Sequence, residues 1–204
     1  MRLIRFVSSS FLPSLLRWLP CLLLSALAVG CATTDPRAGL ESDMRACAAA
    51  ERSGDLETAL VACQRARANT REAALGPAAE SVTLYNLGRV QKKAQSFGAA
   101  EAALRRSLAI EESLSGPASL DTGRRLAELS AVLLLQGRTA EGEPLLERLL
   151  AIAPQYQGGD RSYVANVLFR YAEELRKNGR VDLAARLDKT ARALGFHREQ
   201  FLAR

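Results

Sequence analysis

Leu84–Ile110 reads LYNLGRVQKKAQSFGAAEAALRRSLAI, Leu126–Ile152 reads LAELSAVLLLQGRTAEGEPLLERLLAI, and Leu168–Leu194 reads LFRYAEELRKNGRVDLAARLDKTARAL. The three align without a gap, 42 residues apart each time. A further copy, DMRACAAAERSGDLETALVACQRARAN from Asp43 to Asn69, begins 41 residues before the first. Self-similarity at such a period marks a row of like supersecondary units, each burying its apolar face against the next. The columns Ala46/Leu87/Leu129/Tyr171 and Ala50/Gln91/Leu133/Leu175 mostly supply bulk on one face of a first helix. Cys47/Gly88/Ser130/Ala172 and Ala59/Ala100/Gly142/Ala184 are small throughout, which lets two antiparallel helices approach closely. Gly54, Gly137 and Gly179 mark the turn between them, with Gln95 as the exception.

The segment types agree with this reading. The chain after residue 40 is rich in Ala, Leu, Arg and Glu, all good helix formers. Aromatic residues make up only 5% of the 204 residues and β-branched runs are missing, so strands have little support. The pattern resembles the tetratricopeptide repeat (TPR) in its longer, kinesin light chain-like form. LYNLG (Leu84–Gly88), GRTAEGEPLLERLLAI (Gly137–Ile152) and the connector SGPASLDT (Ser115–Thr122) carry the resemblance. It implies an all-α, right-handed TPR solenoid of about four helix-turn-helix repeats, near residues 41–76, 82–116, 124–157 and 164–195. The end copies depart from the pattern: Asp43 stands in the column of Leu84, Leu126 and Leu168, and Asp188 in that of Cys63, Leu104 and Leu146. Terminal repeats are expected to differ, since one side faces water. Pro144 falls inside the second helix of repeat 3 and removes one backbone hydrogen bond there. Residues 196–204 form a tail or a short capping helix, in which Phe196 and Phe201 cover the open end.

The N-terminus carries an address. Residues 1–30 hold Arg2, Arg5 and Arg17 and no acidic residue, and Leu19–Val29 is apolar apart from Pro20 and Ser25. These are the parts of a secretory signal, and the apolar stretch is short for a hydrocarbon core of ~30 Å. Leu27-Ala28-Val29-Gly30-Cys31 resembles a bacterial lipobox. The resemblance implies cleavage after residue 30 and acylation of Cys31, and CATTDPRAGL over 31–40, with Pro, Gly and Thr and no apolar period, reads as a short flexible tether. Ala32, where an Asp would retain the protein at the inner membrane, implies an outer-membrane anchor facing the periplasm. An ordinary cleavable signal with an incidental cysteine and a retained membrane helix are the other readings of the same stretch. Without residues 1–30, 25 basic residues face 22 acidic ones, so the pI near 9.5 does not point to nucleic acid.

Cys47 and Cys63 lie on the two helices of repeat 1, in columns that pair a small residue with a large one. If these columns face each other the thiols meet, and an oxidising compartment favours a disulfide. Closing such a loop contributes roughly 3 kcal/mol in the chain-entropy model. Two reduced buried thiols, or a redox or metal role, are the alternatives; no C-x-x-C motif is present. Nothing in the chain assembles a catalytic set. His197 is the single histidine, and no G-x-S-x-G, P-loop or zinc-binding H-E-x-x-H occurs. Gly158–Asp160, GGD, reads as a turn. No metal or cofactor is implied.

Function in the TPR family resides on the concave face lined by first helices. By column, the resemblance places Met44, Ala48, Glu51, Tyr85, Arg89, Lys92, Arg124, Ala127, Ala131, Leu134, Asn166, Phe169, Glu173 and Arg176 there. Tyr85 and Phe169 serve as apolar anchors, and Arg89, Lys92, Arg124 and Arg176 attract carboxylates. The expectation is a non-enzymatic scaffold for a protein or peptide partner in the cell envelope. A structural subunit without an exchangeable ligand is the alternative, and an apolar convex face would favour it. The same basic residues also serve simply to keep an exposed helix face soluble.

Overall fold

A computed structural model describes residues 35–196. Residues 1–34, including the signal-like segment and Cys31, lie outside the described residues, as do His197 and Phe201. Four antiparallel hairpins follow one another: α1 (Pro36–Ser53) with α2 (Leu56–Glu72), α3 (Pro77–Lys93) with α4 (Phe97–Ser115), α5 (Leu120–Leu135) with α6 (Thr139–Ile152), and α7 (Gly158–Lys177) with α8 (Val181–Ala193). A 3₁₀ turn, Ala153–Gln155, follows α6, and no strand occurs among the described residues. Each second helix of the first two hairpins packs on the next first helix, α2 on α3 and α4 on α5. The first helices also touch one another, α3 on α5 and α5 on α7, so they form a continuous inner row.

Helix starts fall earlier than the repeat register predicts. The expected tether is helical from Pro36, because the Asp35 side chain accepts from the Arg37 N–H and proline fits the first helical position. Pro77 opens α3 in the same way. At α5 the Ser119 hydroxyl accepts from Thr122 N–H, so the end of the SGPASLDT connector is already a first helical turn. GGD is not a turn between elements but the first turn of α7, where Asp160 complements the helix dipole. A side-chain cap at α1 and α5 and a first-turn proline at α1 and α3 act within one turn, and a column alignment does not register them.

The columns pack as their sizes demand. Gly88 lies under Leu104, where an added Cβ would come within 2.7 Å of the side chain. Ala59, Ala100 and Ala184 are fully buried. In the same column Gly142 faces Tyr171, the largest fully buried side chain, and a Cβ there would stand 1.9 Å from the tyrosine oxygen. Leu87, Leu129 and Tyr171 are buried as expected, whereas Ala46 is exposed at the open end. The turn column is left-handed in all four hairpins: Gly54 at φ 81°, Gly137 at 72°, Gly179 at 74°, and Gln95 at 60°. Gln95 therefore adopts the backbone that glycine supplies elsewhere without a Cβ penalty. Cys47 and Cys63 are bonded to each other, with Cα atoms 5.2 Å apart.

Candidate functional site

The inner row carries a cavity of about 560 Å³ lined by Tyr85, Arg89, Lys92 and Lys93 of α3, Arg124 and Glu128 of α5, and Asp160 and Tyr163 of α7. Tyr85, Arg89 and Lys92 stand one, five and eight positions after the column Leu84, on one face of α3, while Arg124, Glu128, Asp160 and Tyr163 reach the cavity from other positions on α5 and α7. The charges are interleaved. Arg89 donates to Glu51 at 2.8 Å and lies 3.5 Å from Glu128; Lys93 meets Glu51 at 2.9 Å. Lys92 donates to Glu128 at 2.5 Å and to the Tyr163 hydroxyl at 2.9 Å. Arg124 bridges Asp160, at 2.6 Å, and Asp121.

The expected basic groove is thus a two-tier network. Glu51 and Glu128 form the inner tier, with side chains 7% and 5% exposed, while Arg124 and Lys93 stand outside at 37% and 45%. Asp160, at 45%, is the one lining carboxylate that reaches the solvent side. Burial, and then the Glu128 charge, push the Tyr85 phenol far up; the same two influences raise Tyr163. Both therefore stay neutral donors and apolar walls. Burial works against the Arg89 charge, yet Glu51, Tyr85 and Glu128 together hold its guanidinium above its ordinary range.

A buried network fixes the wall beneath. Arg125 is paired with Glu111 at 2.9 Å and donates to Ser107 and Ser81 at 2.9 and 3.0 Å, tying α5 to α4 and α3. Its guanidinium lies 5.0 Å from the Tyr85 ring centre, and that of Arg89 5.6 Å. Tyr85 is therefore held by two cations, an arrangement strengthened where water is excluded.

Of the residues expected in the groove, Tyr85, Arg89, Lys92 and Arg124 meet at this cavity. Asn166 is half-buried and does not line it. Phe169 is not an open anchor: it is 7% exposed and its ring stacks on Phe196 at 4.2 Å, because the chain after α8 folds back over it. Arg176 stands at the far end of α7, paired with Glu173 and, at 2.7 Å, with Asp188. Lys93, Glu128, Asp160 and Tyr163 were not expected as lining residues. A signal for the carboxylates exists in the sequence: opposite charges 36 residues apart meet, as in Lys92–Glu128, Arg124–Asp160 and Glu112–Arg148. Among the described residues no cluster of His, Cys, Asp or Glu is arranged to hold a metal, and no helix is long and apolar enough to cross a membrane.

No protein-family model matches the chain, and no curated protein matches it. Solved structures do. The structure of BtubC (BKLC) from P. vanneervenii superposes with a TM-score of 0.69 at 18% identity, over 80% of this chain and 67% of that one. The fold is TPR-like. A kinesin light chain-like protein of Podosopora anserina with nearly identical TPR-like repeats gives 0.59 at 18% identity, over 76% and 74% of the two chains. A point variant of that Podosopora anserina protein gives 0.62 at 18% identity, over 81% and 78%. At this identity the likeness carries the TPR-like architecture and nothing about ligands.

Proposed function

We propose that the chain is a non-enzymatic TPR-like scaffold that binds a protein or peptide segment along its inner row. The cavity spanning α3, α5 and α7 carries this reading, since it joins three successive repeats and places two tyrosines beside outward cations. A ligand carboxylate reaches Arg124 and Lys93 from the solvent side without displacing Glu51 or Glu128. Charge-assisted hydrogen bonds to guanidinium groups are about twice as strong as neutral ones. Tyr85 and Tyr163 supply the apolar contact that a peptide needs alongside its charges.

In the same proposal, Cys31 is the acylated first residue of the mature chain and holds the scaffold at the outer membrane, facing the periplasm. The buried Cys47–Cys63 disulfide supports an oxidising compartment. Two lipid signals suffice for stable anchoring, and acylation of thiol and amine supplies more. Mass spectrometry of the membrane-extracted protein is expected to find a triacylated N-terminal Cys31; a bare or absent Cys31 contradicts the anchor.

The groove is tested by crosslinking and pull-down from envelopes with wild type and Tyr85→Ala/Arg124→Ala. Arg124 is the better probe than Arg89, because its partners are exposed and its loss leaves no buried carboxylate unpaired. Loss of a specific partner from the double variant is the expected result. Identical partner sets contradict the groove.

A further inference from the structure

The inner row ends in a contact that the rest of the solenoid explains. In each inner repeat the position one after the column leucine meets the next first helix, although Tyr85 also opens on the cavity. Over Tyr85 lies Arg125 of α5, and Ala127 is fully buried where α7 packs on α5. At the same position in the last repeat stands Phe169, after which no further described helix follows. Phe196 takes the place of that helix, stacked on Phe169 with ring centres 4.2 Å apart and planes 21° from parallel.

The closing turn of α8 aims it there. Gly195, at φ 86°, donates its N–H to Arg192, and Phe196 donates to Ala191. This is the glycine-terminated helix end in which the residue after glycine makes an apolar contact. In that motif the contact usually falls on the same helix; here it falls on the inner row. Phe196 is itself half-buried and lies beyond α8, the last of the described helices, while Phe169 beneath it is nearly closed off.

We propose that Phe196 is a built-in competitor for the inner row: it occupies the apolar seat on Phe169, and a partner that engages this end must displace it. The inference rests on the inner row being the binding face. The chain's own segment is the committed occupant, since it leaves α8 directly over the seat. An aromatic pair of this kind shifts an equilibrium by about two- to tenfold, enough to tune binding and small enough for a ligand to overcome.

The contact is tested without a ligand first. Trp18 is the chain's single tryptophan and lies in the segment that the proposed cleavage before Cys31 removes, so Phe169→Trp by itself supplies one indole at the seat of the mature protein. Acrylamide is expected to quench that indole several-fold more when Phe196→Ala is added, with helicity by circular dichroism unchanged. Equal quenching in the two proteins overturns the proposal. Competition is then read by placing a photo-crosslinking amino acid at position 85 or 169 and comparing capture in envelopes with and without Phe196→Ala. Capture through 169 is expected to rise several-fold while capture through 85 stays constant. Equal capture through 169 in both backgrounds, with capture through 85 present, overturns the competitor and leaves the groove reading standing. No capture through either position overturns both, leaving Phe196 as an end cap alone.

Discussion

The first hairpin carries its polar exception, Asp43, on its first helix; the last carries Asp188 on its second. Both stand in columns where neighbouring repeats place leucine, and both are answered by arginine: Asp43 by Arg65 at 2.6 Å with Asn69 at 2.7 Å, Asp188 by Arg176 and Arg192. The apolar interiors differ more. The core around α1 and α2 consists of Cys47, Ala50, Ala59, Ala62 and Cys63 with Leu87 and Val90 from α3. The last hairpin contributes Leu168, Tyr171, Leu175, Leu183 and Leu187 to one core shared with its neighbours. Small side chains remove little apolar area from water, and the hairpin that has them is the one with the covalent link. The two ends thus reach stability by different routes, a crosslink at one and side-chain volume at the other.

The comparison breaks most directly at the disulfide. Cys47→Ser/Cys63→Ser is expected to lose roughly 3 kcal/mol, by the loop-closure estimate for a link of this span. Hydrogen exchange should then show the loss of protection in α1 and α2 before any other helix. Uniform loss along the chain would mean that the hairpins unfold as one unit. At the other end, Gly142→Ala forces a methyl against Tyr171 and is expected to cost about 1–3 kcal/mol in urea unfolding. Tyr171→Phe recovers part of that cost in the double variant, since the buried hydroxyl it removes has no hydrogen-bond partner. Between the ends, Gln95→Gly relieves a left-handed backbone and is expected to stabilise by about 0.5–1 kcal/mol; a lower melting temperature would contradict it.

The smallest effect concerns pH and sits in the middle of the stack. Burial opposes the charge of Glu101, yet hydrogen bonds from Gln136, Arg138 and Arg105 lower its carboxyl to about 2. A carboxyl depressed on folding contributes stability above its unfolded value, near 4.5, and loses it as pH falls toward 2. Glu101→Gln is therefore expected to flatten the acid limb of the stability curve between about pH 5 and pH 2, more visibly at low salt. An unchanged acid limb would place the acid sensitivity elsewhere.

The architecture was legible because column composition is a packing record: Gly88 opposite Leu104 and Ala100 near the axis of approach state which helices touch. Gly142 looked like one more small residue until Tyr171 showed that alanine would not fit. Helix starts were not legible from columns, since Asp35, Pro36, Pro77 and Ser119 act within one turn and do not repeat. The site was half legible. Tyr85, Arg89, Lys92 and Arg124 share the face that the TPR resemblance assigns by column. Their carboxylate partners come from other repeats at offsets that are not the repeat length. Phe169 reads as open by column because the chain that covers it lies outside the repeated register.

Hydrogen exchange of the protein with and without its captured partner tests the inner row as the binding face most directly. Added protection is expected on α3, α5 and the first half of α7, centred on Tyr85, Arg124 and Tyr163. Protection confined to α4, α6 and α8 would place the partner on the opposite face and contradict the account.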